Sequence, residues 1–217
     1  HIYAPGELKP LLDMQLSMFC KGLEFDVKFH PVTTTVESVI YEDRGLTVMT
    51  IPLQHRVPCC GFLFREKPTL PHIRRDMIDC YEIPLSQINN IKNGADWTTD
   101  EGEVIPNCKL VEPAESPRSY AYCSDTRYMP KLHNVVKGVN LLYHESTYGN
   151  DNLAHAKLYY HSTAEQAAMV ARDAGVGQLL LGHYSARYDN EDQLLNEAQN
   201  IFSNALLAEE GMTFDVK

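Results

Sequence analysis

The sequence has no long hydrophobic run and no excess of positive charge. None of its apolar stretches approaches the roughly 20 residues that cross a bilayer, and no signal-peptide pattern opens the chain. Of its 217 residues, 19 are Lys or Arg and 29 are Asp or Glu, which gives a net charge of −10. We therefore expect no membrane insertion. An acidic chain also lacks a global attraction to nucleic acid, so any RNA contact requires a local basic patch.

The chain also lacks a Cys-x-x-Cys pair, internal repeats and low-complexity tracts. Its six cysteines are scattered, and a chain of this length can bury a core without disulfides, so we expect reduced thiols in a cytosolic protein. The cysteines are Cys20, Cys59, Cys60, Cys80, Cys108 and Cys123. A hydrophobic fraction of 44% and a charged fraction of 22% are typical of a folded globular chain.

Hydrophobic periodicity predicts an α/β protein with a mixed layered sheet. Strands come early and then alternate with helices, which favours this class. The predicted strands cover residues 2–4, 25–29, 35–41, 46–53, 61–64, 120–123, 135–144, 178–181 and 212–216. The predicted helices cover residues 7–19, 162–173 and 191–209. We assign the start of the second helix to a capping box formed by Ser162 and Glu165.

Residues 66–119 interrupt this pattern. They are rich in Pro, Asn, Gly and acidic residues, and show only short helical stretches near 73–80 and 85–91. An irregular stretch of this length inside a compact domain is usually an insertion with a role of its own. The alternative is a surface segment without a function of its own that packs against the rest of the domain.

Histidines and acids follow several predicted strands directly. His55, Asp125, the His144 and Glu145 pair, and His183 each come just after a strand. Because strand ends converge at one edge of a layered sheet, and because zinc accepts imidazole nitrogen and carboxylate oxygen, the pattern favours a metal site. Each residue also has a plain alternative as a surface, turn or cap residue, and the spacing forms no local motif.

Five segments stand out along essentially the whole chain: LQHRVPCCGFLF at 53–64, YCSDTR at 122–127, HESTY at 144–148, HSTAEQAA at 161–168 and LGHYSARY at 181–188. Taken in order, these segments resemble the ribonuclease Z family, which processes the 3′ ends of tRNA and has the metallo-β-lactamase fold. The resemblance implies an α/β fold of the αββα sandwich type, carrying the inserted arm at 66–119.

The resemblance also implies roles for five residues. His55 corresponds to a ligand of a first Zn2+, Asp125 to a carboxylate bridging two Zn2+ ions, and His183 to a ligand of the second. His161 corresponds to the catalytic histidine, and Glu145 to the acid that orients it. The implied activity is zinc-dependent endonucleolytic removal of 3′ trailers from precursor tRNA by a cytoplasmic homodimer.

Two departures from the family pattern affect these expectations. The family's His-x-His-x-Asp-His motif occurs nowhere in the chain, and His1 stands in what reads as a strand already in progress. We therefore expect the chain to correspond to the carboxyl-terminal two thirds of the enzyme, with a sandwich incomplete at the amino terminus. With so few ligands, we expect these residues alone to bind zinc weakly and not to cleave RNA.

The second departure concerns the arm, which the resemblance assigns to tRNA binding. The matching segment, IPLSQINNIKNG at 83–94, has no Gly-Pro motif. Acidic residues outnumber basic ones over 65–119, and only Arg65, Lys67, Arg74 and Arg75 form a basic stretch that suits phosphate contacts.

Two other functions stay open at this point. One is a metallo-β-lactamase-fold hydrolase of another phosphodiester or a sulfate ester. The other is a degenerate, non-catalytic subunit for RNA binding or dimerisation. The residues encoded upstream of His1 separate the endonuclease from the non-catalytic subunit, because a His-x-His-x-Asp-His cluster there favours the enzyme.

Overall fold

The structure is a computed structural model that describes residues 1–20 and 22–217. The chain forms two compact units, one made of His1–Arg65 with Arg118–Lys217 and the other of Glu66–Pro117. The strands are β1 (Ile2–Pro5), β2 (Phe29–Val32), β3 (Val39–Glu42), β4 (Leu46–Pro52), β5 (Cys60–Glu66), β6 (His72–Ile73), β7 (Trp97–Thr98), β8 (Val104–Ile105), β9 (Val111–Glu112), β10 (Ser119–Cys123), β11 (Leu141–Glu145), β12 (Gln178–Gly182) and β13 (Ala205–Leu207). The helices are α1 (Leu8–Phe19), α2 (Arg75–Cys80), α3 (Ile88–Lys92), α4 (Asn107–Leu110), α5 (Leu132–Val135), α6 (Leu153–Tyr159), α7 (Ala164–Ala174) and α8 (Asp192–Gln199).

A seven-stranded mixed sheet organises the first unit. Its order is β13-β12-β11-β10-β5-β4-β3. The strands from β10 to β13 pair in parallel, whereas β5 pairs antiparallel with β10. Parallel pairing requires crossover connections that place helices on the sheet, and α7 and α8 supply two of them. The mixed α/β sheet predicted from the sequence is confirmed.

One face of this sheet packs against α5, α7 and α8. Alternate strand residues such as Ala121, Leu142 and Leu181 meet the alanines of α7 in a single buried cluster. The alanines are Ala164, Ala167, Ala168, Ala171 and Ala174, all fully or almost fully buried. Because alanine side chains are short, α7 lies close to the strands whose ends carry the candidate site.

The opposite face of the sheet carries aromatic pairs. Phe64 stacks on Tyr120 with ring centroids 5.8 Å apart, and Tyr122 stacks on Tyr143 at 4.7 Å. These residues alternate along β5, β10 and β11 with those that face the helices, as the pleat of a strand requires. A side chain at Gly182 would overlap the ring and hydroxyl of Tyr143, so any larger residue would force that ring to move.

The sequence patterns placed several elements wrongly. The helix predicted over 191–209 ends at Gln199, and residues 205–207 instead form β13, paired in parallel with β12. No strand forms at 212–216. A short apolar run has no periodicity that separates helix from strand, and here the open edge of β12 decides for strand.

Three predicted strands begin later than expected. Residues 25–28 belong to no strand, and β2, which pairs with β1, starts at Phe29. The strand expected from 35 starts at Val39. The one expected from 135 starts at Leu141, because α5 and a turn at Gly138, with φ of +65°, precede it.

The capping box of α7 lies one residue beyond its predicted position. Thr163 is the N-cap; its hydroxyl accepts from the amide of Gln166 at 3.2 Å, and the Gln166 carboxamide accepts from the amide of Thr163 at 3.0 Å. Ser162 is instead fully buried and donates to the carbonyl of Thr126 at 2.8 Å. The prediction of Ser162 and Glu165 was therefore wrong, because that serine anchors a loop of the site.

We expect Thr163→Ala to lower the free energy of unfolding by about 1–2 kcal/mol, since an N-cap hydroxyl contributes about that much. Glu165 belongs to the capping box predicted from the sequence but not to the observed one. Glu165→Gln should therefore change the free energy of unfolding by no more than a few tenths of a kcal/mol. Chemical denaturation followed by circular dichroism measures both. Equal losses in the two variants would contradict the observed cap.

The second unit, Glu66–Pro117, has its own small core. Ile83, Ile91, Ile105 and Leu110 are buried in one cluster, and two short antiparallel strand pairs, β6 with β9 and β7 with β8, border it. The helices of 73–80 and 85–91 are observed as α2 and as a 3-10 turn followed by α3.

All six cysteines have free thiols. In the part of the chain that the structure describes, no helix has both the length and the apolar character to cross a membrane.

Candidate metal centre

Loops at one end of the large sheet carry the candidate site. Asp125 lies two residues beyond β10, Glu145 is the last residue of β11, and His183 follows β12 directly. These three strands are parallel neighbours, so their carboxyl ends share an edge, the usual position of a site in an α/β sheet. His55 follows β4, and His161 comes shortly before α7.

Three residues of this region have a left-handed backbone. The φ angle is +57° at Asp125, +58° at His183 and +62° at Tyr160, the residue before His161. Such angles are uncommon outside glycine and concentrate where a side chain must be held in one direction. Here they fall on two candidate ligands and next to a third candidate residue.

Imidazole and carboxylate groups converge in two overlapping sets. Donor atoms of His55, Asp125 and His161 lie within 4.8 Å of one another, and so do those of Glu145, His161 and His183. The two sets are also linked by Asp125 and His183, whose Oδ1 and Nε2 atoms are 3.3 Å apart. The five residues singled out from the sequence thus form one cluster, with His161 in both sets.

Hydrogen bonds fix which nitrogen two of these histidines present. Nδ1 of His55 donates to the carbonyl of Tyr160 at 3.0 Å. Nδ1 of His183 lies 2.8 Å from the hydroxyl of Thr147, which itself donates to Glu145 at 2.6 Å. The Thr147 hydroxyl has already used its proton, so it accepts from His183. Both imidazoles therefore donate through Nδ1, which leaves Nε2 as the nitrogen directed at the cluster.

This arrangement fits a metal. Histidines that bind metals generally donate their other nitrogen to a carbonyl, hydroxyl or carboxylate, and neutral imidazoles with a nearby carboxylate are the donors that zinc and similar ions accept. His55, Asp125 and His183 are the residues that would hold the ions.

Glu145 is the anchor of the cluster. Its side chain has 0% exposure and accepts from the amides of Thr126 and Ser162 at 2.5 and 3.0 Å, and from the Thr147 hydroxyl. It also lies 3.0 Å from Nδ1 of His161. Burial favours the neutral acid, but hydrogen bonds led by that of His161 outweigh burial and lower the pKa of Glu145.

His161 gains the complementary shift. The hydrogen bond to Glu145 raises the pKa of His161 above its usual value of 6.5, against the opposing effect of burial. The two groups therefore favour an ionised pair, in which Glu145 holds Nδ1 of a charged imidazole. His161 is 12% exposed and so still reaches the surface.

The four residues expected to bind RNA do not share one compact unit. Arg65 belongs to β5 of the first unit, whereas Lys67, Arg74 and Arg75 belong to the second. Arg74 is paired with Asp76 at 2.8 Å. Their role in binding stays a prediction. His144, noted with Glu145 in the sequence, belongs to neither donor set and is fully buried.

The sequence did not identify Thr147 as functional. The only signal was its place in the HESTY segment, where it stands two residues after Glu145. Its contact with His183 spans 36 residues and depends on β11 and β12 being neighbours.

We expect Thr147→Val to weaken metal binding by about 10–100-fold, the usual effect of losing a partner of a metal-bound histidine. Valine keeps the shape but removes the hydroxyl, so the His183 tautomer is no longer fixed. Isothermal titration with Zn2+ measures affinity, and nitrogen chemical shifts of the metal-free protein report the tautomer. Thr147→Ser should restore both; an unchanged tautomer in the valine variant would contradict this role.

Comparisons with known proteins place the chain in a family. It is 52% identical over 212 residues to the ribonuclease Z of Bacteroides fragilis, an alignment that covers 98% of this chain and 70% of the relative. It is 40% identical over 216 residues to the ribonuclease Z of Porphyromonas gingivalis, covering 100% and 71%. No protein-family model matches the chain.

Solved structures agree on the fold. The short form of human tRNase Z aligns with a TM-score of 0.61 at 18% identity, covering 100% of this chain and 67% of that one. The metallo-β-lactamase-fold protein YhfI of Bacillus subtilis aligns with a TM-score of 0.61 at 16% identity, covering 99% and 64%. The fold is therefore that of the metallo-β-lactamases, and the sequence identities show that the chain belongs to the ribonuclease Z family.

Proposed function

We propose that this chain carries the catalytic edge of a zinc-dependent endoribonuclease that removes 3′ trailers from precursor tRNA. The observation that supports it best is the convergence of His55, Asp125, His161 and His183 around the buried carboxylate of Glu145. Membership of the ribonuclease Z family supports the substrate class. The nitrogen and oxygen donors suit zinc, two ions of which could share the Asp125 carboxylate.

Two zinc ions, when bound, lower the pKa of water to about 7 and so make hydroxide available at neutral pH. His55, Asp125 and His183 would hold the ions at the sheet edge. The left-handed backbone of Asp125 and His183 keeps both side chains directed at the cluster. The hydrogen-bonded groups around Glu145 are buried, so water does not surround this carboxylate. The low dielectric strengthens its electrostatic interaction with His161.

His161 performs the proton transfer in this proposal. Glu145 accepts Nδ1–H and raises the pKa of the imidazole, which favours its charged form, so Nε2–H can be given to the oxygen that leaves phosphorus. As the bond between phosphorus and that oxygen breaks, the proton passes from Nε2 to the oxygen, and His161 becomes neutral. A positioned general acid typically contributes about 10²–10⁴-fold in rate.

The proposal includes the wider biology implied by the family. The unit Glu66–Pro117 serves as the tRNA-binding arm, with the basic stretch Arg65, Lys67, Arg74 and Arg75 contacting phosphates. The protein is a cytoplasmic homodimer. The separate core of the second unit supports its role as an arm, and the other points follow from the family resemblance alone.

Cleavage of a precursor tRNA by the product of the complete reading frame tests the proposal. A 3′-labelled precursor should yield one trailer fragment, and chelation followed by Zn2+ addition should abolish and restore cleavage. Hydrolysis of small phosphodiesters or sulfate esters without tRNA cleavage would favour the alternative hydrolase. Failure on every substrate, with no His-x-His-x-Asp-His cluster upstream of His1, would favour a non-catalytic subunit.

We expect deletion of residues 68–115, with a Gly-Ser linker in their place, to weaken precursor tRNA binding while leaving hydrolysis of bis(p-nitrophenyl) phosphate nearly unchanged. The arm has its own core, so its removal should spare the sheet. As a milder variant, Lys67→Gln with Arg75→Gln should lower the slope of log affinity against log salt by about 0.7–0.9 per lost phosphate contact. Equal loss on both substrates would mean that the arm supports the site structurally.

A further inference from the structure

A cavity of about 270 Å³ opens beside His161, outside the donor cluster. It is lined by Arg127, Tyr128, Lys157, His161 and Gln166. Arg127 and Tyr128 lie in the loop after β10, Lys157 in α6, His161 between α6 and α7, and Gln166 in the first turn of α7. The wall is therefore assembled from four parts of the first unit. We name it the Arg127–Lys157 pocket.

The pocket is positively charged in a chain with a net charge of −10. Arg127 and Lys157 supply two cations, and neither forms an ion pair with a carboxylate among residues 1–20 and 22–217. Arg and Lys are the side chains that bind phosphate oxygens. Two cations without carboxylate partners, beside the proposed phosphodiester-cleaving centre, therefore suit a second phosphate of the same RNA strand.

Arg127 is held in place rather than freely extended. Its backbone amide donates to the carbonyl of Gln54 at 2.9 Å, and its guanidinium lies 5.6 Å from the ring centroid of Tyr160. A cation over an aromatic face is attracted to it. Since Tyr160 has a left-handed backbone and precedes His161, the same turn positions the guanidinium and the catalytic imidazole.

The third wall offers a neutral donor. The carboxamide oxygen of Gln166 is used by the capping box with Thr163. This bond fixes the amide orientation, and Nε2 finds no acceptor in the described part of the chain. The pocket thus combines two cations, one amide donor and the ring of Tyr128, a set that suits the phosphate and base of a nucleotide.

We propose that the Arg127–Lys157 pocket binds the RNA nucleotide adjoining the cleaved phosphodiester on the His161 side. Arg127 and Lys157 contact its flanking phosphate, while Gln166 and Tyr128 meet the base. This inference rests on the proposed function and extends it. His161 belongs both to the pocket wall and to the donor cluster, so a strand whose phosphodiester lies at the cluster brings its next nucleotide to the pocket.

Binding of a short fluorescein-labelled single-stranded RNA to the chain, measured by anisotropy in EDTA at low salt, tests the pocket without metal or turnover. Arg127→Gln and Lys157→Gln should each weaken binding about tenfold, the effect of about 1.4 kcal/mol. Each should also reduce the slope of log affinity against log salt by about 0.7. Lys137→Gln and Arg172→Gln, which remove the same charges elsewhere on the first unit, should bind as the parent does.

A second assay separates binding from chemistry. In the product of the complete reading frame, both pocket variants should slow cleavage of precursor tRNA but not of bis(p-nitrophenyl) phosphate, which has no adjoining nucleotide. The proposed role of the pocket is refuted if the Arg127→Gln and Lys157→Gln variants bind RNA as well as the control variants do. It is also refuted if the parent chain does not bind RNA. Equal loss on both substrates overturns it as well. If the pocket variants lose RNA binding but the parent protein does not cleave precursor tRNA, the result supports the pocket and rejects the proposed function.

Discussion

Replacing Asp125 by asparagine is expected to abolish both metal binding and precursor tRNA cleavage. The carboxylate lies in one donor set with His55 and His161 and is 3.3 Å from Nε2 of His183. It is the acidic group that the proposed function assigns to both ions, so its loss removes the charge that offsets two dications. Zinc content by mass spectrometry and cleavage of a labelled precursor by the product of the complete reading frame measure the two effects.

Asparagine is chosen because of the backbone at this position. The φ angle of Asp125 is +57°, and asparagine tolerates the left-handed region as aspartate does, whereas other side chains pay roughly 1–2 kcal/mol there. Asp125→Ala should therefore lose metal and also unfold more easily. Asp173→Asn, which alters an exposed acid of α7 that is paired with Arg172, is the matched control. Cleavage that persists in the Asp125→Asn variant refutes the bridging role.

The sequence predicted that the residues of the candidate site lie close together, because they follow predicted strands. Alternating or apolar runs predicted β4, β10 and β12 close to their observed positions, and β11 close to its observed end. Parallel strands bring their carboxyl ends together. Asp125 and His183 could thus be placed at one edge from local patterns alone. The resemblance to known sequences then attached roles to them.

Long-range contacts lay beyond the sequence. The bond from Thr147 to His183 depends on β11 and β12 being neighbours, which no local window reveals. The same limit explains the error at residues 205–207, where apolar residues that extend a helical pattern form β13 because β12 offers a free edge. The register of the α7 capping box shifted by one because Ser162 bonds to Thr126, 36 residues away.

Backbone conformation was equally hidden. Asp125, Tyr160 and His183 adopt left-handed angles that their residue types do not demand. Such strain persists only where the surrounding structure over-determines it. Here the surroundings include the network of Glu145, which ties Thr126, Thr147 and Ser162 to one buried carboxylate. The sequence named Glu145 as the partner of one histidine, whereas the structure shows it joining three loops.

Replacing His161 by alanine is expected to slow precursor tRNA cleavage by about 10²–10⁴-fold, the range for a positioned general acid, while leaving zinc content near that of the parent. The imidazole is held at Nδ1 by Glu145 at 3.0 Å, as a proton donor requires. The product of the complete reading frame is assayed for turnover and metal together, and His133→Ala on α5, outside both donor sets, is the control.

The raised pKa of His161 predicts how turnover depends on pH. Glu145 raises the pKa of His161 above 6.5, so the charged form needed for proton donation is present below that raised pKa and is lost as pH rises through it. Turnover of the parent protein should therefore fall as pH rises through that pKa. The residual turnover of the His161→Ala variant should show no such fall. Because His161 belongs to both donor sets, the alternative is that it binds metal. In that case the alanine variant loses zinc in proportion to activity, and the histidine is a ligand rather than the acid.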